Sequence, residues 1–379
     1  MRVTEVALCF ATVLGCCCTL QVFYYLILSE TAVFPLWGHR KTGIILFWAP
    51  PKGSAWPPEG LKFGEKCTVT YNRNQLRRAD VVVFHYTSFL PKDLPWKHSR
   101  RSDQLFVWWS SDNPGDVKQN LGLTNSDLRE FDNGFFNWTM TYMNDADVVR
   151  SYGSRWELIN QLEKGKSVVD QIILDKTKIA MWKTNKCNGS QNARMRTGFA
   201  KELMNSGLKL DIFGRCLGSK MTDHPTSKQM KTYKFYLSFE DAVHCRDYIT
   251  EKFWDNALRN DMVPVVWGPT KEDVLAVAPI HSFIHTDDFE SPAKLTEYLQ
   301  FLDQNDDEYR KYFRWREDES MTDDKMIQMI QKEHPDIRVQ GRTLGLCEKE
   351  FQNTGYKTVH SIVDDFFIRN RLECTEYMP

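Results

Sequence analysis

The chain has 379 residues, of which 42% are apolar and 13% aromatic, enough to build buried cores in about two domains. Its 49 lysines and arginines offset 50 aspartates and glutamates, leaving a formal charge of -1 with no long basic run. Nucleic acid is therefore set aside as a partner.

Residues 6–28 carry no charged side chain. At about 1.5 Å per residue, a helix of that length crosses a hydrocarbon core of about 30 Å. The run exceeds a signal-peptide core and no small-x-small cleavage site follows it, which favours a retained anchor. The expected order is a cytoplasmic tail over 1–5, a transmembrane helix over 6–28 and a stem over 29–42. Arg2 before the span and Arg40 and Lys41 after it leave the positive-inside count undecided. Orientation comes instead from the six cysteines beyond the span and from the sequons at Asn137 and Asn188, which suit an oxidising, lumenal compartment. A single-pass type II membrane protein is expected. Cys9, Cys16, Cys17 and Cys18 lie in the span and read as apolar filler.

The folded body is predicted to start with a strand over 43–48, followed by a Pro- and Gly-rich loop and two buried strands over 79–85 and 104–109. Residues 112–136 are rich in Asn, Asp and Gly and read as a functional loop. A second α/β half is expected from a strand over 178–182, a helix over 194–205 and a strand over 210–213 ending at Gly214. Next comes a β-α-β unit with strands at 235–239 and 263–267 and a helix marked by Ile249, Phe253, Ala257 and Leu258. Its strands should be parallel, so the loop and the helix start share the C-terminal edge of the sheet, where ligands bind in such folds. Asp247 is read as the N-cap, which puts Thr250, Glu251 and Lys252 in a first turn suited to an anion. Ser291 and Pro292 cap a last helix that carries Leu295, Tyr298, Leu299 and Leu302 on one face.

Residues 235–269 closely resemble the α-1,3-fucosyltransferase signature, in which a Phe-Glu strand end leads to Asp-Tyr-Ile-Thr-Glu-Lys and Val-Pro-Val-Val-x-Gly-Pro. Phe136-Asn137-Trp138-Thr139-Met140-Thr141-Tyr142, with Asp145, Asp147 and Tyr152-Gly153 after it, resembles a second segment of that family. The likeness is dense over 178–318, patchier over 66–153 and weak in the last fifty residues. It implies a Golgi membrane protein of GT-B type, with two facing Rossmann-like domains and a cleft between them. The expected boundaries are 43–175 for an acceptor-side domain, 176–340 for a GDP-fucose-binding domain and 341–379 for a segment returning to the first domain.

The activity implied is inverting transfer of L-fucose from GDP-β-L-fucose to a GlcNAc hydroxyl of a glycoprotein or glycolipid glycan. The resemblance assigns donor contacts to Arg194, Tyr236, Glu240, Tyr248, Glu251 and Lys252, and Asp241 stands where the family usually has Asn. A carboxylate there accepts only, and its charge beside a diphosphate is unfavourable. Asp112 occupies the position of the family's catalytic Glu and is expected to act as the base, one methylene shorter, with Asp116 and His85 as substitutes. No metal or other cofactor is expected, since Lys252 and Arg194 would neutralise the leaving GDP. The alternative uses Asp145 and Asp147 as ligands of a divalent cation, and a non-enzymatic lumenal glycan-binding protein is a third reading. Cys67 is expected by resemblance to pair with Cys347. Cys187, Cys216, Cys245 and Cys374 are the remaining disulfide candidates, and at least one bridge should brace the nucleotide pocket.

Overall fold

A computed structural model of the chain describes residues 43–317 and 358–368, apart from 53–56, 64–66, 96–99, 123–124, 156–157, 159–160, 189, 220–223, 243–244 and 280. The expected tail, span and stem over 1–42 lie outside the described residues, as do Cys347 and Cys374. Among the described residues no helix is long and apolar enough to cross a membrane.

Two sheets organise the rest. The first comprises β1 (Gly43–Ala49), β2 (Lys62–Phe63), β3 (Cys67–Thr70), β4 (Val81–His85), β5 (Leu105–Ser110), β6 (Trp138–Thr141) and β7 (Val148–Val149), in the order β2-β3-β1-β4-β5-β6-β7. Only the β2 pairing is antiparallel. β4 and β5 are buried on both faces, which is why their sequences are continuous apolar runs rather than alternating ones. Side chains still divide by parity. Val82, Phe84, Phe106 and Trp108 pack with Phe131, Phe135 and Phe136, whereas Val81, Val83, Val107 and Trp109 pack with Ile45, Phe47 and Met140.

Residues 358–368 complete the first of those layers. Val359, Ile362, Val363 and Phe366 are buried in it, and the Val359 N–H donates to the Phe136 carbonyl at 3.0 Å.

The second sheet is wholly parallel, with β8 (Lys178–Lys183), β9 (Leu210–Phe213), β10 (Tyr233–Phe239), β11 (Val263–Trp267) and β12 (Ile284–His285) in the order β12-β11-β10-β8-β9. The chain leaves β8 toward β9 and then crosses to β10 on the other side. A crevice therefore opens outside the C-terminal ends of β8 and β10, the place where open α/β sheets bind ligands. In the first sheet the matching reversal lies between β1 and β4.

Several expectations change. Residues 112–136 are not a plain loop, because α1 (Pro114–Leu121) and a short helix at Asn125–Arg129 run through them. Asn113 caps α1, its Oδ1 accepting from the Asp116 N–H at 3.1 Å, and Pro114 takes the first helical position. The second unit also starts before 176. Helix α2 (Lys166–Leu174) buries Val169 and Ile172 in the core of the second sheet, beside Trp182, Phe235 and Leu237. A helix preceding the first strand of a parallel sheet has its apolar stripe satisfied only there.

The β10–β11 crossover differs in its start and its pitch. Asp247 is not an N-cap: its backbone is left-handed, with φ 62°, and the helical turn begins at Glu251. Residues Lys252–Ala257 form a π-helical turn, with one extra residue per hydrogen-bonded ring. Phe253, Trp254 and Ala257 still face inward, so the predicted apolar face survives the change of pitch. The second unit also contains helices α3 (Gln191–Asn205), α4 (Lys271–Val277) and α5 (Pro292–Gln304), and Ser291 Oγ caps α5 by accepting from the Lys294 N–H at 3.3 Å.

Candidate active site

The C-terminal ends of the two sheets meet. The first contributes Tyr86 after β4 and Ser111 and Asp112 after β5. The second contributes Thr184 to Lys186 after β8 and Glu240 and Asp241 after β10. Lys186 Nζ stands 3.5 Å from Asp116 of the first unit and 3.5 Å from Asp241 of the second, bridging the junction. Below it, Asn144 donates to Asp247 from its backbone at 2.9 Å and its side chain at 2.6 Å, and Arg246 pairs with Asp145 at 2.8 Å. Tyr142 and Tyr152 of the first unit pack edge-on against Tyr248.

On the second side the charges are locked together. Glu240 is buried and accepts from the Thr250 N–H at 2.8 Å, the Thr250 hydroxyl at 2.7 Å and Lys252 Nζ at 3.0 Å. Gly268 makes room for this turn: at φ 125°, any Cβ there would lie 2.8 Å from the Ala242 carbonyl oxygen and 2.8 Å from Glu240 Cβ. Burial pushes the Glu240 carboxyl up, against the pull of Lys252. For Lys252 burial alone would pull the ammonium down, yet Glu240, Asp241 and Glu251 together hold it above the ordinary lysine range, so it stays charged. Asp241 behaves in the opposite sense. Burial pushes it up, but Lys252, Arg196 and Lys186 outweigh that and hold it below the ordinary range.

Arg196, like Lys186 and Tyr86, is a side chain that sequence reasoning missed. It is fully buried on α3, pairs with Asp241 and donates to the Phe239 carbonyl at 3.1 Å and the Lys186 carbonyl at 2.9 Å. Its phase was available, because Ala193, Arg196, Thr197, Ala200 and Leu203 recur at helical spacing and form the buried face. Arg194, two residues earlier, is exposed and donates to the Asn188 carbonyl at 3.3 Å. The expected penalty of a carboxylate at 241 is thus met by a buried guanidinium within the protein.

Two expected donor contacts are closed. Tyr236 is fully buried among Met181, Phe213, Met230 and Met262, and its hydroxyl accepts from Asn256 at 3.1 Å. Tyr248 is buried at the junction of the two units. Both fill cores in this structure, whereas Glu251 is exposed and Lys252 is half-buried with its Nζ 3.7 Å from Asp241.

On the first side Asp112 is held by hydroxyls. Tyr86 donates to its Oδ2, and Tyr152 donates to its Oδ1 at 3.2 Å and to the Ser111 carbonyl at 2.8 Å. Burial pushes Asp116 up, against the pull of Lys186. His85 is buried, with Nδ1 at 2.7 Å from the Thr87 hydroxyl, and burial together with Arg150 pulls its imidazole down to about 3. A ring that stays neutral to that pH and bonds its own turn is a poor substitute base, which corrects the expectation for His85.

Asp145 and Asp147 have different partners. Asp145 pairs with Arg246, and Asp147 accepts from the Thr139 N–H at 2.9 Å and from its hydroxyl at 3.2 Å. Among the described residues no group of three or more His, Cys, Asp or Glu is placed to hold a metal ion. Cys187 and Cys216 form a disulfide that ties the loop after β8 to the loop after β9, at the rim of the crevice. Cys67 and Cys245 are also disulfide-bonded. The sequon at Asn137 is not a glycan site in the folded protein, since that side chain is fully buried and accepts from the Phe106 N–H at 2.9 Å and from Arg100. Asn188 is exposed.

Comparison with known proteins is consistent with this two-part site. Residues 40–153 match the fucosyltransferase N-terminal family and residues 173–364 the glycosyltransferase family 10 (fucosyltransferase) C-terminal family. The chain is a family 10 fucosyltransferase. It is 32% identical to the chimpanzee (Pan troglodytes) 4-galactosyl-N-acetylglucosaminide 3-alpha-L-fucosyltransferase FUT6 over 330 residues, covering 80% of this chain and 86% of that one. It is 35% identical to alpha-(1,3)-fucosyltransferase 7 of Bos taurus over 73% of this chain and 76% of that one. Among solved structures, an alpha1,3-fucosyltransferase with GDP-fucose aligns at a TM-score of 0.48 and 13% identity, covering 86% of this chain and 96% of that one. The resemblance carried by residues 235–269 is borne out by these family matches. In this fucosyltransferase both matched regions contribute to the junction, Asp112 from the first and Glu240 to Lys252 from the second.

Proposed function

We propose that this fucosyltransferase moves L-fucose from GDP-β-L-fucose to a GlcNAc hydroxyl of a glycoprotein or glycolipid glycan, with inversion to an α-1,3 linkage. The observation that carries the reading is the junction itself, where a carboxylate held by neutral hydroxyls faces a cluster built around a charged lysine. The two units are read as the facing halves of a GT-B arrangement, with acceptor on the β5 side and donor on the β10 side. Asp112 takes the proton of the acceptor hydroxyl as that oxygen attacks the fucose anomeric carbon. The bond to the β-phosphate breaks with its electron pair leaving on GDP. Lys252, at the start of the π-helical turn, stabilises that developing charge, and Glu251 is the open carboxylate placed to bond sugar hydroxyls. Asp241, neutralised by Arg196, orients Lys252.

Metal-independent transfer belongs to the proposal. Its support is that Lys252 supplies the positive charge and that Asp145 is engaged by Arg246. GDP release should be followed with GDP-fucose and a lactosamine acceptor, for wild type and Asp112→Asn, each with and without EDTA. Asp112→Asn should keep donor binding and lose about two to four powers of ten in turnover, base catalysis being worth about that much. EDTA should change nothing. Wild-type turnover in Asp112→Asn would remove the base, and activity lost to EDTA and restored only by manganese would return Asp145 and Asp147 as ligands.

The type II Golgi placement is likewise proposed, supported by the uncharged run 6–28, the Cys187–Cys216 bridge and the exposed sequon at Asn188. In sealed microsomes the body should resist protease and carry an endoglycosidase-sensitive glycan that Asn188→Gln removes. A protease-accessible, unglycosylated body would overturn it.

A further inference from the structure

Asp112 has a short side chain just ahead of Asn113, the cap of α1, and both of its carboxylate oxygens have partners. Those partners come from separate places in the fold. Tyr86 follows directly on β4, its ring buried and packed 4.9 Å from the His85 ring. Tyr152 belongs to the segment that crosses from the first unit to the second, and its ring lies 6.3 Å from that of Tyr248. The next residue, Gly153, is pressed so closely on Trp254 that a Cβ would lie 2.1 Å from the indole. Tyr152 therefore cannot shift without moving the contact between the units.

Resting on the assignment of Asp112 as the base, we propose that Tyr86 and Tyr152 are positioning residues that clamp its carboxylate in one orientation for proton abstraction. Tyr86 donates to Oδ2, and Tyr152 shares its one proton between Oδ1 at 3.2 Å and the neighbouring Ser111 carbonyl at 2.8 Å. An ionised carboxylate has about four lone-pair sites, so the two phenols leave others open to an acceptor hydroxyl. Burial and the Asp112 carboxylate hold the Tyr86 phenol above its ordinary range, and burial does the same for Tyr152, so both stay protonated as donors. Neutral donors suit the task. An ion pair would hold the carboxylate more tightly but oppose its uptake of a proton, whereas phenols fix geometry without adding charge. Because Tyr152 is seated by the crossing segment, correct orientation of the base also depends on how the second unit is docked.

The test is a double-mutant cycle. Tyr86→Phe and Tyr152→Phe each keep the ring, so each should lower kcat by about 10- to 100-fold, the scale of misplacing a catalytic group. KM for GDP-fucose and acceptor and the thermal midpoint should stay at wild-type values. In an Asp112→Asn background, neither substitution should lower the residual rate further, since the carboxylate they position is gone. Wild-type kcat in both Phe variants, with Asp112→Asn inactive, overturns the clamp and leaves the base assignment standing. The same loss from Tyr86→Phe and Tyr152→Phe in the Asp112→Asn background also overturns it, because the tyrosines would then act independently. Wild-type kcat in Asp112→Asn removes the base and the clamp together. Should Tyr86→Phe fail to fold, the Tyr152→Phe arm decides alone.

Discussion

The two edges that form the crevice solve different physical problems. Beyond β10, Glu240, Asp241 and Glu251 surround Lys252, and Arg196 and Lys186 pair with Asp241, so burial is offset by mutual attraction. Beyond β5, Asp112 is held by phenol hydroxyls, and Lys186 at the junction lies 3.5 Å from both Asp116 and Asp241. A leaving diphosphate needs fixed positive charge that is present before the reaction. A base needs orientation without a permanent counter-ion, because it must become neutral. The contrast assigns the edges their roles more firmly than either does alone.

After the loss expected from Asp112→Asn on the base edge, the next largest effect that would break this contrast is on the charged edge. Lys252→Ala should lower transfer by about one to three powers of ten, the scale of losing one stabilising donor. It should also lower the denaturation midpoint, because Glu240 is left buried without its cation. GDP-release kinetics and urea titration read the two losses separately; unchanged turnover in the folded variant would place the leaving group elsewhere.

Arg196→Met tests whether the charged edge is also structural. It strips Asp241 of its buried partner and should cost about 3–5 kcal/mol of stability, as removal of one member of a buried pair does. Asp241→Asn added to Arg196→Met should recover part of that. Equal stability in all three proteins, measured by urea unfolding, would show that the pair is idle.

The smallest effect concerns the contact between the edges. Burial, with Asp273 and Asp145 assisting and Asn144 and Arg246 opposing, raises the Asp247 carboxyl from 3.8 to about 6. The native carboxyl thus binds its proton more tightly than the unfolded one, so its contribution to stability falls as pH rises from about 4 to about 6 and is level above. Asp247→Asn lacks this slope. Its stability relative to wild type should rise by up to about 3 kcal/mol across that window, each tenfold difference in proton affinity being worth about 1.4 kcal/mol. A pH-independent difference in midpoint between the two proteins would show that Asp247 is already ionised throughout the window.

Sequence alone determined the strands whose apolar runs need a sheet on both faces. The predicted strands at 210–213 and 263–267 coincide with β9 and β11, and those at 43–48 and 178–182 each end one residue short of β1 and β8. It also determined the family, through the long motif around β10 and β11, because a match of that length is set by residue identity and not by packing. Helix α1 was hidden by its polar composition, although its Asn-Pro cap was written in the chain. Tertiary structure decided what periodicity cannot express. It buried Arg196 against Asp241 and left Arg194 outside, closed Tyr236 and Tyr248 into cores, and sealed the Asn137 sequon. It also brought Tyr86 and Tyr152 to Asp112 from positions 26 and 40 residues away. Which polar side chain faces which depends on the docking of the two sheets, a long-range arrangement that local spacing along the chain does not encode.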